Sequence, residues 1–163
     1  MTERKLANVA SSLSLTAADA ICTEALAFGR EHELLPLTVV VIDSGGHIVC
    51  LKREDGCGTV RVGIALAKAS AVVGMGVSSR LLGARLRERV AFQNAIAAAS
   101  DGRFAAVPGG VAILDEDGDI VGAVGISGDA SDRDEAAAIH GIHQAGLASD
   151  PPEAAPNWKE AGL

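Results

Sequence analysis

The spacing of hydrophobic residues predicts a helix and then a buried strand in the first third of the chain. Between Leu13 and Gly29, apolar side chains recur at intervals of three and four residues, as on one face of a helix. Thr16 followed by Asp19 resembles a capping box at the start of this helix, and Gly29 suits its end. The stretch Leu37–Ile42 is apolar almost throughout and rich in β-branched residues, which is typical of a strand buried on both faces.

Two runs of turn-forming residues predict two β-hairpins of the same design. The hairpins comprise strands 37–42 and 47–53 joined at Asp43–Gly46, and strands 110–114 and 119–126 joined at Asp115–Gly118. Two such hairpins separated by helices fit best in one antiparallel sheet. The pattern therefore predicts an α+β fold.

Three further helices are predicted: Thr59–Val73, a long helix from Ser78 or Ser79 to about Ser100, and Asp132–Ala148. Asp132 is expected to cap the last helix, with Glu135 at its third position. We divide the chain into an N-terminal extension (1–12), a single domain (13–148) and a Pro-rich tail (149–163). The tail has no periodicity, so we expect it to be disordered or to lie extended on a neighbouring subunit.

Composition narrows the class of protein. Hydrophobic residues make up 48% of the 163 residues but aromatic residues only 2%, so we expect one domain with a core of Val, Ile, Leu and Ala. The three cysteines, Cys22, Cys50 and Cys57, form no CxxC motif, which favours a reduced, cytoplasmic setting. No secretory signal and no apolar run of about 18 residues is present, so no membrane partner is expected.

Charge is distributed unevenly along the chain. The net charge is −7, but residues 61–103 are basic (+5), whereas residues 1–60 (−3) and 104–163 (−9) are acidic. A basic middle and an acidic end favour self-association, that is, a homo-oligomer. A nucleic-acid-binding domain would need a basic surface with aromatic or basic readers, so nucleic acid is not expected as a partner.

Four motifs in this order resemble the GlcG/HbpS family, which includes the C-terminal domain of PduO-type corrinoid adenosyltransferases. They are VVVIDSGGHIVCLKREDG, AKAS, VPGGVAIL and IVGAVGISGDASDRDE, and the resemblance spans roughly residues 13–147. It implies a single domain with a central antiparallel sheet of about five strands flanked by helices, in profilin/PAS-like layers, and homo-oligomers. It also implies a small-ligand-binding protein with haem, or a related tetrapyrrole, as the ligand and cofactor.

A polar pocket is predicted between the sheet and the helix Thr59–Val73. Free N–H groups at the start of that helix attract anions, and arginine side chains match carboxylates. The expected ligand-binding residues are Arg53, Asp55, Arg61, Lys68, Ser127 and Asp129. Lys68 and Asp129 are also the candidate catalytic residues, Asp129 as a general base. The alternative is that the arginines are solvated, that Lys68 pairs with a local acid and that Asp129 has no chemical role.

The spacing of the histidines is weaker evidence for an iron ligand than the motifs above are for a polar pocket. His140 and His143 lie three residues apart on one helix face and could supply an imidazole to a metal or to haem iron, but no third ligand follows. No metal site is therefore predicted. His47 is the other histidine expected near a cavity, whereas His32 is expected on the surface.

The remaining candidates point to association between subunits. The arginines Arg80, Arg85, Arg87 and Arg89 are expected on a solvated or intersubunit helix, and Trp158 in the tail as an anchor on a partner chain.

Three functions remain open at this stage. The first is the binding of haem or a related tetrapyrrole. The second is a lyase, isomerase or hydratase that acts on an oxygenated acid through Lys68 and Asp129. The scarcity of aromatic residues, and the absence of histidine from Leu13–Gly29, favour this second function. The third is a non-catalytic accessory subunit.

Overall fold

A computed structural model describes residues 7–163 of the chain. The elements are α1 (Leu15–Glu31), β1 (Thr38–Asp43), β2 (Ile48–Arg53), α2 (Arg61–Met75), α3 (Ser79–Leu86), α4 (Val90–Ala99), β3 (Gly110–Leu114), β4 (Ile120–Ser127), α5 (Ser131–Gln144), β5 (Ala148–Asp150) and a 3-10 turn (Trp158–Glu160).

The five strands form one antiparallel sheet in the order β2-β1-β4-β3-β5. Helices α1 and α5 cover one face, and α2 covers the other. The α+β fold with a central antiparallel sheet of about five strands is therefore confirmed. The edge strand β5 was not predicted, and the expected boundary between domain and tail at 148/149 falls within it.

Strand β1 is apolar throughout because it is buried on both faces. Val39 and Val41 point into the core shared with α1 and α5. Val40 and Ile42 point into the smaller core beneath α2. Since successive side chains of a strand alternate between faces, a continuous apolar run is what a central strand with helices on both sides requires.

The glycines at the end of β4 permit close approach of other backbone segments. A Cβ on Gly125 would clash with the carbonyl of Ala65 in α2, and one on Gly128 would lie 2.8 Å from the Cα of Leu37. Side chains larger than hydrogen would therefore push α2 and the 35–37 segment away from the sheet. The Gly-rich motif of the sequence is thus explained by packing.

The long predicted helix 78–100 is two helices, α3 and α4. Arg89 has non-helical dihedral angles (φ −110°, ψ 50°), and the Gln93 side-chain amide donates to the carbonyl of Leu86 at 2.6 Å. The Leu86 carbonyl also accepts from the Arg89 N–H at 2.9 Å, so a tight turn and a side chain together bond the last carbonyl of α3. No residue of α4 is fully buried, so packing does not force the two helices into one.

The helix caps also differ from those expected. Ser14, not Thr16, caps α1, its hydroxyl accepting from the Ala17 N–H at 3.1 Å. Helix α5 starts at Ser131 without a side-chain cap from the preceding residue. It ends at Gln144, before Gly146 (φ +78°), which leaves residues 148–150 free to form β5.

The tail is ordered and packs on its own chain, so it is not disordered as one expectation had it, whereas its contact with a neighbouring subunit stays a prediction. The Trp158 ring lies 5.4 Å from that of Phe28 in α1, and Arg133 in α5 donates to the Lys159 carbonyl at 2.8 Å.

Among residues 7–163, no single helix is long and apolar enough to cross a bilayer. Helices α2 and α3 meet the criteria of length and composition only when they are taken together, and they are bent by 78° at the break between them.

Candidate functional site

Two of the predicted ligand-binding residues, Arg53 and Asp55, line an open groove. The groove is about 540 Å³ in volume and is completed by Arg30, Leu34, Pro36 and Glu54. Glu54 is engaged on both sides, because it pairs with Arg30 at 3.0 Å and accepts from the Leu37 N–H at 2.8 Å. Arg53 is exposed in this groove, where an anion from solvent can reach it.

Lys68 lies away from this groove, in the interior beneath the end of β4. Its ammonium is 3.0 Å from Asp134 Oδ2 and donates to the Ile126 carbonyl at 2.8 Å. The residue is only 2% exposed. Burial lowers the pKa of Lys68, and the neighbouring Asp134 carboxylate opposes that shift without reversing it.

The Asp134 carboxylate bridges Lys68 and Asp129, because it accepts a hydrogen bond from each of them. Its Oδ1 accepts from the Asp129 N–H at 2.9 Å while its Oδ2 faces Lys68. Burial raises the pKa of Asp134 to about 6, although the Lys68 ammonium and the Asp129 N–H favour the carboxylate. The sequence offered a local acid as a partner for Lys68, whereas the acid that the tertiary fold supplies is Asp134, 66 residues away.

Asp129 is buried and hydrogen-bonded to backbone groups. Its carboxylate accepts from the Leu35 N–H at 2.8 Å and the Ala130 N–H at 2.7 Å, and Arg133 approaches to 3.6 Å. These bonds fasten the segment after α1 to the start of α5. The geometry directs both oxygens toward the protein's own backbone.

Arg61 and Ser127 meet beside Cys57. The Arg61 guanidinium donates to Ser127 Oγ at 3.3 Å, and the Cys57 thiol lies 3.2 Å from Thr38 Oγ1. The structure thus divides the predicted ligand-binding residues into three groups: an open groove (Arg53, Asp55), a pair formed by the partly buried Arg61 and the fully buried Ser127, and a buried network (Lys68, Asp129). Their roles in ligand binding and catalysis stay predictions.

A different cluster brings histidine and aromatic rings together. Phe28 lies at its centre, with ring centroids 4.2 Å from His32, 4.8 Å from His140 and 5.4 Å from Trp158. His32 also meets Trp158 edge-on at 5.3 Å. These rings come from α1, α5 and the tail, three segments far apart in sequence. We name this group the histidine–aromatic cluster.

An open cleft runs along this cluster on the surface of α5. It is about 410 Å³ in volume, and its walls include Phe28, Ile139 and Trp158 together with His140 and His143. His143 Nε2 lies 2.9 Å from Ser149 Oγ, so one of its ring nitrogens is engaged. A smaller cleft of about 140 Å³ lies beside Trp158 and carries two cations, Arg133 and Lys159.

Sequence reasoning identified the His140/His143 pair but not the cluster. It placed His32 on the surface, whereas the residue is half-buried, and it assigned Trp158 to a partner chain. The signal present in the sequence was the i, i+4 spacing of Phe28 and His32, which places both on one helix face. His47 is exposed on the first hairpin, 3.5 Å from Asp43, and lines no cleft described above.

Arg80 and Glu135 form an ion pair between α3 and α5. Glu135 is completely buried, and its Oε1 has no partner among the described residues. Burial raises the pKa of Glu135, and the Arg80 guanidinium opposes the shift. Arg80 therefore links α3 to α5 within the chain while its side chain stays 35% exposed, and the solvated or intersubunit position expected for its helix stays a prediction. Residues 7–163 contain no group of three or more His, Cys, Asp or Glu side chains placed to hold a metal ion.

The sheet with α1 and α5 on one face and α2 on the other defines a small α+β domain, and the sequence assigns that domain to a family. The family model described as "Haem degrading protein HbpS-like" matches residues 13–143. The chain belongs to this HbpS-like family, which confirms the resemblance found in the sequence motifs. A search of the curated proteins finds no significant match.

Solved structures agree with the assignment of the fold. The PduOC protein of a PduOC–heme complex matches at 21% identity (TM-score 0.74), over 83% of this chain and 96% of its own. The Klebsiella pneumoniae protein ORFY matches at 17% identity (TM-score 0.74; 89% and 98% covered). A double mutant of Streptomyces reticuli HbpS matches at 24% identity (TM-score 0.70; 88% and 92% covered).

Proposed function

We propose that this chain is a small-ligand-binding protein whose ligand is haem or a related tetrapyrrole, held in the cleft along the histidine–aromatic cluster. The observation that carries the proposal is the convergence of His32 and His140 on the Phe28 ring, with Trp158 closing the group. Membership of a haem-degrading family, and the PduOC–heme complex among the similar folds, support the same ligand class.

The residues of the cleft fit the chemistry of haem. A tetrapyrrole needs flat apolar walls, which Phe28 and Trp158 supply in a chain with few aromatic residues, and an axial donor. His140 is our candidate iron ligand, since one nitrogen of His143 is engaged by Ser149. The cations Arg133 and Lys159 lie on the other side of Trp158, where carboxylates of the ligand would find partners.

Each residue has a separate task in this proposal. The aromatic rings orient the macrocycle and exclude water, and His140 holds an electron pair at its ring nitrogen for the metal. When bound, haem would supply the one-electron redox chemistry of its iron, which the side chains of the cleft do not provide. The chain's own contribution is binding, orientation and solvent exclusion.

A haemin titration followed by absorption spectroscopy tests the proposal. The wild type is expected to develop a sharp Soret band that saturates at a simple stoichiometry. His140→Ala should weaken binding at least tenfold and shift the band, whereas His47→Ala, the matched control on the exposed hairpin, should leave both unchanged. Equal behaviour of the two variants, or no saturable band in the wild type, would overturn the proposal.

The proposal that the chain is a lyase, isomerase or hydratase has less support. It requires Lys68 and Asp129 to meet a substrate, and both are almost completely buried and bonded to protein groups. The double substitution Lys68→Met/Asp134→Leu separates the cases, because it removes the lysine without leaving a buried carboxylate unpaired. It should abolish turnover of an oxygenated acid if the chain is such an enzyme. It should leave haemin binding nearly intact if the cleft is the site.

The accessory-subunit function would be favoured if neither haemin nor oxygenated acids bind.

We also propose that the chain forms homo-oligomers, supported by the basic 61–103 region and the acidic 104–163 region. Exposed apolar side chains of α4, Val90 and Phe92, provide further contact area. Light scattering at micromolar concentration tests this, and a monomer would refute it. A cytoplasmic location is part of the proposal and is supported by three free thiols.

A further inference from the structure

Cys22 and Cys50 meet where α1 crosses β2. Cys50 pairs with Val41 in the sheet, and Val41 points into the core beneath α1 and α5. Lys52, two residues along the same strand face, reaches α1 at Asp19 (2.9 Å) and Thr23 (2.8 Å). Cys50 Sγ lies 4.0 Å from the same Asp19 carboxylate, one helical turn before Cys22.

The two thiols are neighbours with different access to solvent. Cys22 is completely buried, and Cys50 packs from the edge of the core against the cluster that contains Cys22. Burial, followed by the contact with Cys50, raises the pKa of Cys22 far above its usual range. Cys50 is half-buried. A small oxidant from solvent can therefore reach the half-buried Cys50 thiol before it reaches Cys22, and Cys22 stays a thiol until Cys50 has been oxidised.

We propose that Cys22 and Cys50 form a reversible intrachain disulfide, a redox modification site in which Cys50 is the attacking residue and Cys22 the resolving one. The disulfide would join α1 covalently to β2. Because Phe28 lies on the last turn of α1 and His32 directly follows the helix, the crosslink would fix the helix that forms one wall of the histidine–aromatic cleft. The disulfide is independent of whether that cleft binds haem.

The chemistry is balanced with a peroxide as oxidant. The Cys50 thiolate attacks one peroxide oxygen, which gives a sulfenic acid and hydroxide. The Cys22 sulfur then displaces the sulfenic oxygen, and the S–S bond forms as water leaves with the Cys22 proton. Overall, two thiols are oxidised and one peroxide is reduced to two water molecules. A dithiol reductant reverses the modification by exchange.

Cys57 provides an internal control. It is buried on the opposite face of the sheet, beside Thr38 and 3.9 Å from the Ser127 carbonyl. The strand alternation that sends Val39 and Val41 to α1 sends Thr38 to the α2 side. Cys57 therefore cannot replace either member of the pair without rearrangement of the sheet.

The first test counts thiols in the full-length protein. After treatment with hydrogen peroxide, and denaturation under conditions that block exchange, titratable thiols are expected to fall from three to one per chain. Peptide mapping should then show Cys22 joined to Cys50 and Cys57 free, and dithiothreitol should restore three thiols. Three persisting thiols, a crosslink that includes Cys57, or a disulfide between chains would overturn the proposal.

Variants separate the two roles, and circular dichroism checks their folding. In Cys22→Ala, Cys50 should stop at the sulfenic acid and be labelled by dimedone. In Cys50→Ser, Cys22 should stay unmodified at the same peroxide dose. In Cys57→Ala, the crosslink should form as in wild type. If dimedone labels Cys22 in Cys50→Ser as strongly as Cys50 in Cys22→Ala, the assignment of roles is wrong. The mapping of the wild type stands even if a variant fails to fold.

Discussion

Lys68 Nζ lies 3.0 Å from Asp134 Oδ2, and both side chains are almost completely buried. This ion pair joins α2 to the first turn of α5, while the bond from Lys68 to the Ile126 carbonyl adds the end of β4. Three elements are therefore held at one buried point. Charge in such a place is costly unless it is paired and hydrogen-bonded, so each partner depends on the other.

We predict that Lys68→Met destabilises the protein strongly. The substitution leaves the Asp134 carboxyl without its cation in a dry environment, and breaking a buried pair from one side costs on the order of 3–5 kcal/mol. Urea denaturation measures the free energy of unfolding. Lys52→Met is the matched control, because Lys52 pairs with Asp19 at a similar distance on the surface. Its loss should cost no more than about 1 kcal/mol.

Equal stabilities of the two variants would contradict this account of Lys68. The double substitution Lys68→Met/Asp134→Leu sharpens the test, since it removes both charges. It should recover most of the stability lost in Lys68→Met, because an apolar pair of similar volume can replace a buried ion pair.

The pKa of Asp134 predicts a pH dependence with a definite sign. The pKa rises from 3.8 to about 6 on folding, so between these values the folded chain binds more protons than the unfolded chain. The contribution of Asp134 to the free energy of unfolding is therefore largest below pH 3.8, and it declines as the pH rises to about 6. Glu135, whose pKa is also raised, contributes in the same direction.

Asp134→Asn tests this sign because asparagine does not titrate. The stability of the wild type minus that of Asp134→Asn should decrease between pH 4 and pH 6, on the order of 1.4 kcal/mol per pH unit at its steepest. Urea midpoints at several pH values provide the measurement, with Asp132→Asn as a control at the same helix start. A difference that increases with pH would mean that Lys68 depresses the pKa of Asp134.

These residues also show how far the sequence predicts the molecule. Hydrophobic alternation and turn residues predicted four of the five strands, because period and turn chemistry are local properties. The three-residue β5 and the division of the helix 78–100 depend on tertiary contacts, such as the bond from Gln93 to Leu86. The pairing of Lys68 with Asp134, 66 residues away, has no local signature. The meeting of Phe28, His140 and Trp158 has none either.

The glycine motif of β4 gives a steric prediction. Gly125→Ala places a Cβ against the backbone of α2, only 2.9 Å from the Ala69 nitrogen. Overpacking of this kind costs about 1–3 kcal/mol, and backbone rather than a flexible side chain would have to move. Thermal unfolding should show a clearly lowered Tm.

Gly63→Ala is the matched control for this prediction. Gly63 lies in α2 itself, and a Cβ there meets nothing within 4 Å. Alanine should therefore stabilise the helix by up to about 1 kcal/mol through propensity alone. If both alanine variants move the Tm in the same direction, close approach of β4 and α2 is not what selects glycine at position 125.

Trp158→Ala tests whether the tail belongs to the ligand site. The substitution removes the ring that packs on Phe28 and His32, at a cost on the order of 0.5–1.5 kcal/mol for the lost aromatic contacts. Haemin affinity should fall severalfold, and proteolysis after residue 150 should become faster because the tail loses its anchor. Phe92→Ala, which removes an exposed aromatic ring from α4, should change neither quantity. Faster proteolysis with unchanged haemin affinity would keep Trp158 as an anchor of the tail but move the tetrapyrrole to another part of the surface.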